Sequence, residues 1–287
     1  MPELPEVEIV KRSLVKSINK AKIVDIKIKN KNLRYVISKK IYKYLINQKI
    51  VKISRRSKYL IFHFKNNFLL IHLGMTGKLL IMRKVDNKLF KTSFYYDLNI
   101  LPQHNHIYFT LNNGLSIIYN DIRKFGFVKC YKNIELNQIS FLKKLGLEPL
   151  SKLFNVKYFE KNIKNKKKNI KNLLMDQTFV SGLGNIYVNE VLFLSRINPL
   201  RLCCSLSRKE VNMIIINTKS ILKLSIAQGG SSIKDFKHIS GKNGKFQQFF
   251  AVYGKENKNC SRISCKGKIK KILISNRSSF FCNICQN

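Results

Sequence analysis

The chain has 287 residues, of which 45% are hydrophobic, and its 55 Lys and Arg against 15 Asp and Glu give a formal net charge of +40 at pH 7. This hydrophobic content excludes a disordered basic tail, and the length indicates about two domains. Such a charge favours a polyanionic partner, with nucleic acid the first to consider. Because Lys, Ile and Asn are abundant throughout, the charge needs support from motifs.

Membrane insertion and secretion are not expected. Lys, Asn or Ser interrupts every apolar run well before the ~18 residues that indicate a membrane span. The first residues are acidic and lack the apolar core of a signal peptide. We therefore expect an intracellular, cytoplasmic protein, in which the seven cysteines are reduced or metal-bound rather than disulfide-bonded.

The opening stretch MPELPEVEIV predicts a helix that begins near Pro5, a residue suited to a first helical turn. Glu6 and Glu8 are expected to compensate the positive end of the helix dipole. That explanation does not extend to Pro2 and Glu3, which precede the helix. The helix is indicated by apolar residues at helical spacing, namely Val7, Val10, Leu14 and Ile18.

Pro2 and Glu3 have a possible chemical role. If Met1 is removed, Pro2 carries a free secondary amine, and α-amino groups have a pKa of about 7.7–8.0, so part of it is nucleophilic at pH 7. Attack on C1′ of a deoxyribose gives an iminium ion, which acidifies the C2′ protons and permits phosphate elimination. Glu3 is the neighbouring candidate proton donor. Taken alone, a proline at position 2 is more simply a small residue.

From about residue 22 to 131 the sequence predicts strands. IVDIKIK alternates apolar and polar residues, and KYLIFHFKNNFLLIHLGMTGKLLI indicates strands around an Asn-Asn turn and a Gly-Met-Thr-Gly loop. A further hairpin is predicted at Asn113-Gly114. Many short strands at this spacing predict an antiparallel β-sandwich.

From about residue 140 the pattern becomes helical. Ser207 and Glu210 form a predicted capping box, and the helix that follows is expected to end at Gly229-Gly230. GNIYVNEVLFLSRINP predicts another helix, stopped by Pro199. The preceding segment NKKKNIKNLLMDQTFVSGLGN combines a lysine run, a helix and a Gly-rich turn.

The last 28 residues contain two cysteine pairs. Four residues separate the first pair, two separate the second, and sixteen lie between the pairs, which is enough for a β-hairpin. Two such pairs at the base of a hairpin predict a tetrahedral zinc site formed by Cys260, Cys265, Cys282 and Cys285. Arg277, in SNRSS, is expected at the hairpin tip, where an arginine either contacts DNA or is simply solvated. The remaining cysteines are interpreted as packing residues: Cys130, Cys203 and Cys204.

Eight motifs then follow one another over essentially the whole chain: MPELPEVE, RRSKYL, HLGMTG, DIRKFG, LGLEPL, GLGNIYVNE, QGGSSIKDF and the four-cysteine tail. In this combination the chain resembles bacterial formamidopyrimidine-DNA glycosylase, also called 8-oxoguanine DNA glycosylase/AP lyase. The resemblance implies an α+β multidomain fold with DNA in a cleft. Its parts would be an antiparallel β-sandwich with a leading helix over 1–133, a helix–two-turns–helix domain over 134–250 and a zinc-finger β-hairpin over 251–287.

The resemblance also implies catalytic roles. Pro2 matches the Schiff-base nucleophile and Glu3 the proton donor. Lys58, in RRSKYL, matches a lysine that contacts phosphate and assists β-elimination, and Arg277 matches the finger arginine assigned to δ-elimination. The implied activity is removal of oxidised purines, namely 8-oxoguanine and formamidopyrimidines, from duplex DNA, followed by strand cleavage at the abasic site. One structural zinc ion, a monomeric state and association with the bacterial nucleoid through DNA belong to the same expectation.

A further set of residues is expected to contact DNA. Met75, Arg123 and Phe125 have shapes suited to filling the hole left by an extracted base, although, taken alone, Met75 and Phe125 are more simply core residues and Arg123 a solvated one. Asn185 would bind a phosphate from the turn before a helix; a plain helix connector is the alternative. Lys234 would begin a loop, 233–246, that closes over the flipped base. The full set is His104, Arg123, Lys168, Asn185, Met75, Phe125 and Lys234.

The sequence departs from the family pattern at two places. Four residues rather than the usual two separate Cys260 from Cys265, which predicts a differently turned knuckle and affects the aim of Arg277. Lys124 stands where arginine is more frequent. Three other interpretations stay open: an endonuclease VIII acting on oxidised pyrimidines, a non-catalytic zinc protein that senses DNA damage, and a basic ribosome-associated zinc protein. The Pro2-Glu3 pair disfavours the last two.

Overall fold

The computed structural model describes residues 2–83, 89–90, 100–132, 135–231 and 245–287. The chain divides into two compact units, Met1–Lys143 with Gln228–Gln247 and Lys144–Ala227 with Gln248–Asn287. The division into three domains at 133 and 250 stays a prediction. Within the described ranges, no helix combines the length and hydropathy that a membrane crossing requires.

The first unit is built from two antiparallel sheets and a leading helix. Helix α1 (Leu4–Ile18) buries the four apolar residues that its periodicity predicted. It packs against the second and third strands. The other elements are β1 (Ile23–Ile28), α2 (Lys40–Leu45), β2 (Lys52–Arg56), β3 (Tyr59–His63), β4 (Asn67–His72), β5 (Lys78–Arg83), β6 (Leu89–Phe90), β7 (Asn105–Leu111), β8 (Leu115–Asn120), β9 (Phe127–Lys132) and α3 (Ser140–Lys143).

The strands form a five-stranded sheet in the order β1-β7-β8-β5-β6 and a four-stranded sheet in the order β2-β3-β4-β9. Apolar residues from both sheets and from α1 join in one buried cluster, so the predicted β-sandwich is confirmed. The predicted hairpin also forms, because β7 and β8 pair across the turn that contains Gly114.

The second unit contains helices and one hairpin. Its elements are α4 (Val156–Ile163), α5 (Ile170–Met175), α6 (Asn185–Leu194), α7 (Arg208–Ala227), β10 (Ile269–Ile274) and β11 (Arg277–Cys282). The predicted capping box opens α7, since the Ser207 amide donates to Glu210 Oε2 at 2.8 Å and the Glu210 amide to Ser207 Oγ at 3.3 Å. Beyond its end, Gly229 and Gly230 have positive φ, as expected of a helix terminus.

Helix α6 ends earlier than predicted. It stops at Leu194, because Arg196 adopts a left-handed backbone with φ 60°. The amides of Arg196 and Ile197 then donate to the carbonyls of Phe193 and Leu192, at 3.0 Å each, which is the pattern of a Schellman motif. Pro199 therefore follows the stop and does not cause it.

Two of the three unpaired cysteines are packing residues, as predicted. Cys130 packs against the core of the first unit, and burial raises the pKa of its thiol to about 12. Cys203 is fully buried, and burial raises its pKa to about 11. Cys204 is exposed, so its interpretation as a packing residue was wrong.

Candidate nucleic-acid interface and metal centre

Pro2 and Glu3 lie at the N-terminal end of α1, and both are buried. Glu3 is the N-cap: its amide donates to Glu6 Oε2 at 2.9 Å, and its side chain accepts from the backbone of Glu6, so the two residues form a reciprocal capping box. A carboxyl group at this end also interacts favourably with the helix dipole. Glu3 therefore has a structural role that the sequence reasoning did not assign.

Glu6 does more than compensate a dipole. It is fully buried, and its Oε1 accepts hydrogen bonds from the amide and the hydroxyl of Ser231, at 2.9 and 2.8 Å. The adjacent Gly230 has φ +79°, and a Cβ there would lie 3.3 Å from Glu6 Oε1. A side chain at position 230 would therefore be strained and would crowd this contact. The buried carboxylate thus joins the start of the chain to the segment that follows α7.

Lys58 lies in the tight turn between β2 and β3, with only 7% of its surface exposed. The turn requires a left-handed residue, Ser57, with φ 54°. Arg55 donates to the Ser57 carbonyl at 2.8 Å and to Glu8 Oε2 at 3.1 Å, which ties the turn to α1. Two predicted catalytic residues, Glu3 and Lys58, therefore lie on elements that a single arginine connects.

His72, at the end of β4 in the motif HLGMTG, is a candidate site residue that was not predicted from the sequence. Burial, with the charges of Lys58 and Arg34, lowers its pKa to about 4, so the imidazole is neutral at pH 7. The Gly74 amide donates to Nδ1 at 3.1 Å, which places the proton on Nε2. The ring stacks on Phe127 with centroids 5.6 Å apart. The His72 ring is thus fixed in orientation and neutral, with Nε2–H available to donate a hydrogen bond.

Two loops of the first unit, residues 74–77 and 121–126, form what we call the loop platform. Asp121, fully buried, organises both loops. Its Oδ1 accepts from Thr76 Oγ1 at 2.5 Å, and its Oδ2 accepts from the Gly126 amide at 2.9 Å and from Tyr119 at 3.3 Å. A Cβ on Gly74 would lie 2.4 Å from the Gly126 nitrogen, so the loops touch through backbone that only glycine permits.

The three residues predicted to fill a vacated base position all belong to the loop platform. Met75 is half-buried, whereas Arg123 and Phe125 are exposed. The Arg123 guanidinium lies 4.6 Å from the centroid of the Phe125 ring, a cation–π contact. These side chains and their neighbours line an open pocket of about 590 Å³: Arg34, His72, Gly74, Met75, Arg123, Lys124 and Phe125.

Two predicted DNA contacts lie elsewhere on the surface. His104 ends a short 3₁₀ turn and is half-buried; its carbonyl accepts from the Asp121 amide at 3.0 Å. Lys168 is exposed and pairs with Asp176 at 3.1 Å. A pair this exposed contributes ~0–1 kcal/mol, so a phosphate can displace the carboxylate. Lys234, with most of 233–246, lies outside the described residues.

The hairpin β10–β11 presents Arg277 beside its turn. Ser275 and Asn276 both have positive φ, which is the geometry of a two-residue type I′ turn, and Ile274 pairs with Arg277 across it. Arg277 is exposed and begins β11. Asn172 Nδ2, from α5, donates to Ser275 Oγ at 2.9 Å and holds the tip. The predicted position at the hairpin tip is therefore confirmed.

Four polar residues on α5 and α6 bind strand β11 and the backbone of residues 251–253. We call them the finger base: Lys171, Asn185, Asn189 and Glu190. Lys171, 1% exposed, donates to the Ser278 carbonyl at 3.0 Å and to Ser279 Oγ at 2.5 Å. Burial, with the charge of Arg277, lowers its pKa to about 8. Asn185 Nδ2 donates to the same Ser278 carbonyl at 2.9 Å. The peptide next to Arg277 is thus fixed from two helices.

The other half of the finger base fixes the strand and the chain that leads into it. Asn189 Oδ1 accepts from the Phe280 amide at 2.7 Å. The Glu190 carboxylate accepts from three consecutive amides, at 2.7, 3.0 and 2.7 Å, those of Ala251, Val252 and Tyr253. Burial raises the pKa of Glu190 despite these contacts. In the motif GLGNIYVNE, only Asn185 was predicted to be functional.

The four predicted cysteine ligands come together. One sulphur atom from each of Cys260, Cys265, Cys282 and Cys285 lies within 4.8 Å of the others. Two Sγ–Sγ distances are 3.8 and 3.6 Å. Zinc–sulphur bonds of about 2.3 Å in a tetrahedron place the sulphurs ~3.8 Å apart, so the donor set fits a zinc ion. The four-residue spacing does not separate the first pair from the second.

Comparison with known proteins agrees with this arrangement. Residues 1–128 match the family described as formamidopyrimidine-DNA glycosylase N-terminal domain, and residues 145–237 match the formamidopyrimidine-DNA glycosylase H2TH domain. Proteins of Bartonella tribocorum and of Wolbachia pipientis from Culex pipiens, both named formamidopyrimidine-DNA glycosylase, are 40% and 41% identical to the chain over 100% of each sequence.

Solved structures from Lactococcus lactis are similar over the full chain. An FPG variant in complex with Fapy-dG-containing DNA has a TM-score of 0.86 and 35% identity, with 100% of both chains covered. Wild-type FPG with DNA containing an oxidised pyrimidine has a TM-score of 0.84 and 35% identity over 100% of both chains. A complex with abasic-site DNA has a TM-score of 0.84 and 35% identity over 99% of both. The antiparallel sheets, the helical H2TH region and the cysteine-bearing hairpin are therefore a shared fold.

Proposed function

The chain belongs to the formamidopyrimidine-DNA glycosylase family, and from that premise we propose that it is a bifunctional repair enzyme for duplex DNA. It removes oxidised purines such as 8-oxoguanine and formamidopyrimidines, and it then cleaves the strand as an AP lyase. The observation that carries the proposal is the placement of Pro2 and Glu3: both are buried at the positive end of α1, and Arg55 ties that helix to the turn of Lys58.

The first chemical step falls to the N-terminal pair. With Met1 removed, the Pro2 nitrogen attacks C1′ and the bond from C1′ to the base breaks, so that the base takes the bonding electron pair; the proton that the proline nitrogen loses passes to the departing base. Glu3 donates a proton to O4′ as the sugar ring opens, and the nitrogen lone pair forms the C1′=N⁺ iminium. The helix dipole favours the carboxylate form that Glu3 leaves behind.

The second step is elimination. The iminium withdraws electrons, so a C2′ proton is lost and the 3′ phosphate leaves C3′; loss of a C4′ proton then expels the 5′ phosphate from C5′. Lys58 and Arg277 stabilise the negative charge on these phosphates. Water adds to C1′ of the remaining iminium, the C1′–N bond breaks, and the sugar fragment leaves as an aldehyde, which restores the Pro2 amine. His72, as a neutral Nε2–H donor, is assigned to a phosphate oxygen beside Lys58.

Base extraction is assigned to the loop platform. Removing a base from the stack costs a few kcal/mol, which a side chain that refills the space offsets. Met75 provides a flexible apolar wedge, Phe125 an exposed ring, and Arg123 a guanidinium able to hydrogen-bond the orphaned cytosine. The cation–π contact between Arg123 and Phe125 keeps the two side chains together before DNA binds. His104, Lys168 and Lys234 are assigned to the DNA backbone.

A zinc ion at the four cysteines has a structural role in this proposal. It supplies folding free energy to a segment whose own core is small, as structural zinc does in other fingers. The cluster that the metal completes contains Phe193, Val252, Ile269 and Phe280 with two of the cysteines. Asn185, besides fixing the Ser278 carbonyl, is assigned to a DNA phosphate at the N-terminus of α6.

Borohydride trapping tests the proposal. Protein whose Met1 removal is verified by mass spectrometry is mixed with duplex DNA carrying 8-oxoguanine opposite cytosine, and borohydride is added. We expect a covalent adduct at Pro2. Glu3→Gln should lower base excision by about 10²–10⁴-fold, as loss of a general acid does, while Asp25→Asn, an exposed change on β1, should leave it unchanged. An active preparation that yields no adduct would contradict the mechanism.

A second candidate function is removal of oxidised pyrimidines, the activity of an endonuclease VIII. The structural relative bound to DNA with an oxidised pyrimidine favours testing it. A parallel trapping assay with an oxidised pyrimidine in the same duplex separates the two. We expect a slower reaction than with 8-oxoguanine, and the reverse order would assign the chain to the pyrimidine activity.

A further inference from the structure

The segment between Cys260 and Cys265 forms a turn that contains Arg262. The Cys265 amide donates to the Arg262 carbonyl at 3.2 Å, and Ser264 has a left-handed backbone with φ 67°. Ile263 is 97% exposed, so the turn has no apolar anchor of its own there. The Arg262 amide hydrogen-bonds the sulphur of Cys260. Arg262 is therefore in contact with one of the four sulphurs through its backbone.

The side chain of Arg262 runs to the end of α6. Its Nη2 donates to the carbonyls of Phe193 at 2.7 Å and Leu194 at 3.1 Å. The guanidinium also lies 4.7 Å from the centroid of the Phe193 ring. Both carbonyls belong to the last turn of the helix, where the dipole attracts a cation, and the Phe193 carbonyl also accepts from the Arg196 amide at 3.0 Å. One residue thus bonds a metal ligand and caps a helix.

Phe193 receives contacts from two sides. Its ring belongs to the small apolar cluster that includes Cys260, Cys282 and Phe280 of the finger. The Arg262 guanidinium contacts the same ring. The Arg262 turn and the apolar cluster therefore both fix the C-terminal end of α6. Helix α6 fixes β11 through the hydrogen bond between Asn189 and the Phe280 amide.

We propose that Arg262 is a positioning residue that couples the metal loop to the C-terminal end of α6 and so keeps Arg277 aligned with the finger base. The contribution to Arg277 rests on the proposed function; the coupling between loop and helix does not. Along α6, Asn185 and Asn189 fix the Ser278 carbonyl and the Phe280 amide, and Arg262 fixes the far end of the helix to the metal loop. If the loop between Cys260 and Cys265 detaches from α6, fewer contacts fix β11 and therefore Arg277.

Zinc release measures the coupling without DNA. Zinc-loaded protein is mixed with excess chromogenic chelator, and the release rate is recorded for the wild type, Arg262→Leu, Arg262→Lys and the matched control Ile263→Ala. Removing a partner that orients a ligand typically weakens metal binding about 10–100-fold. We expect about tenfold faster release from Arg262→Leu, an intermediate rate from Arg262→Lys and the wild-type rate from Ile263→Ala. Equal rates in Arg262→Leu and Ile263→Ala would overturn the coupling.

Strand-cleavage products measure the alignment of Arg277. On abasic-site DNA, Arg262→Leu should shift the products from δ- towards β-elimination by about tenfold, with borohydride trapping at Pro2 unchanged and partial rescue in Arg262→Lys. A wild-type product ratio in Arg262→Leu would overturn this part. If Arg262→Leu does not fold by circular dichroism, Arg262→Lys against Ile263→Ala decides both questions. If the wild type does not react with DNA, the proposed function fails while the zinc-release comparison still stands.

Discussion

The loop platform and the finger base both hold exposed side chains in place, but they do so through different contacts. Both must present exposed side chains from a rigid support. In the loop platform, one buried carboxylate, that of Asp121, binds groups from two loops on a β-sandwich with an extensive core. In the finger base, polar side chains from two helices bind the backbone of a hairpin whose apolar cluster is small.

The two regions differ in what stabilises them against unfolding. The loop platform is ordered by the apolar core of the β-sandwich, which does not include the four cysteines. The Asp121 carboxylate is the group whose loss should disturb it most. The hairpin region has few buried apolar residues of its own, and its four sulphurs lie close enough together to hold a metal ion. Loss of metal should therefore act on one region and leave the other intact.

Metal removal is expected to have the largest effect. Structural zinc supplies about 10 kcal/mol to finger-sized units, so chelation should unfold the segment from about 251 to 287 and abolish tight binding to abasic-site DNA. Backbone NMR spectra should lose the dispersed signals of this segment and retain those of the β-sandwich. Cys282→Ser should have the same effect, whereas Cys204→Ser, at an exposed thiol, should not. Collapse of the β-sandwich signals as well would break the comparison.

Substitution of Asp121 should have the next largest effect, and on the other region. Asp121→Ala leaves the Gly126 amide and the Thr76 hydroxyl without this acceptor, while the Tyr119 hydroxyl keeps the His72 carbonyl at 3.1 Å, and we expect the loss to cost about 3 kcal/mol. Urea unfolding of the first unit measures this loss. Asp25→Ala, at an exposed position, serves as the control. Zinc release should stay at the wild-type rate; a faster release would mean that the regions are not independent.

Glu8 is expected to have the smallest effect, with a distinctive pH dependence. Burial acts to raise its pKa, but its contacts with Lys11, Arg12 and Arg55 outweigh burial and hold the pKa below 4.5. A lowered pKa stabilises the fold at pH values above 4.5, and this contribution disappears as the pH falls through the folded-state pKa. Glu8→Gln should thus cost about 0.5–1 kcal/mol near pH 7.

The measurement for Glu8 is urea unfolding at several pH values. The difference between wild type and Glu8→Gln should shrink towards zero as the solution becomes more acidic. Glu135→Gln, at an exposed site, should show little difference at any pH. A difference that grows on acidification would have the wrong sign and would contradict the role of these ion pairs.

The sequence predicted much of this fold because its signals are local. Apolar spacing places α1, strand alternation places the sandwich, and Ser207 with Glu210 marks the start of α7. Cysteine spacing predicted the sulphur cluster for the same reason, since a hairpin brings its two ends together. The order of eight motifs predicted the family. The roles assigned to individual site residues stay predictions.

Where the sequence failed, the cause was a neighbour distant along the chain or a backbone conformation that no motif announces. Pro199 suggested a helix end that Arg196 had already made with a left-handed turn. Glu6 satisfied a dipole rule but in fact binds Ser231, 225 residues away. Cys204 sits beside a buried cysteine and is nevertheless exposed.

The helices, the strands and the cluster of four cysteines could be predicted from the sequence alone, because each depends on spacing within one segment. The polar groups that support them become visible only in the folded chain: Asp121 binds two loops, Lys171 and Asn185 both donate to the Ser278 carbonyl, and Arg262 links the cysteine loop to the end of α6. Such contacts depend on the burial of a charge or a hydrogen-bonding group, and burial is set by the packing of the whole chain.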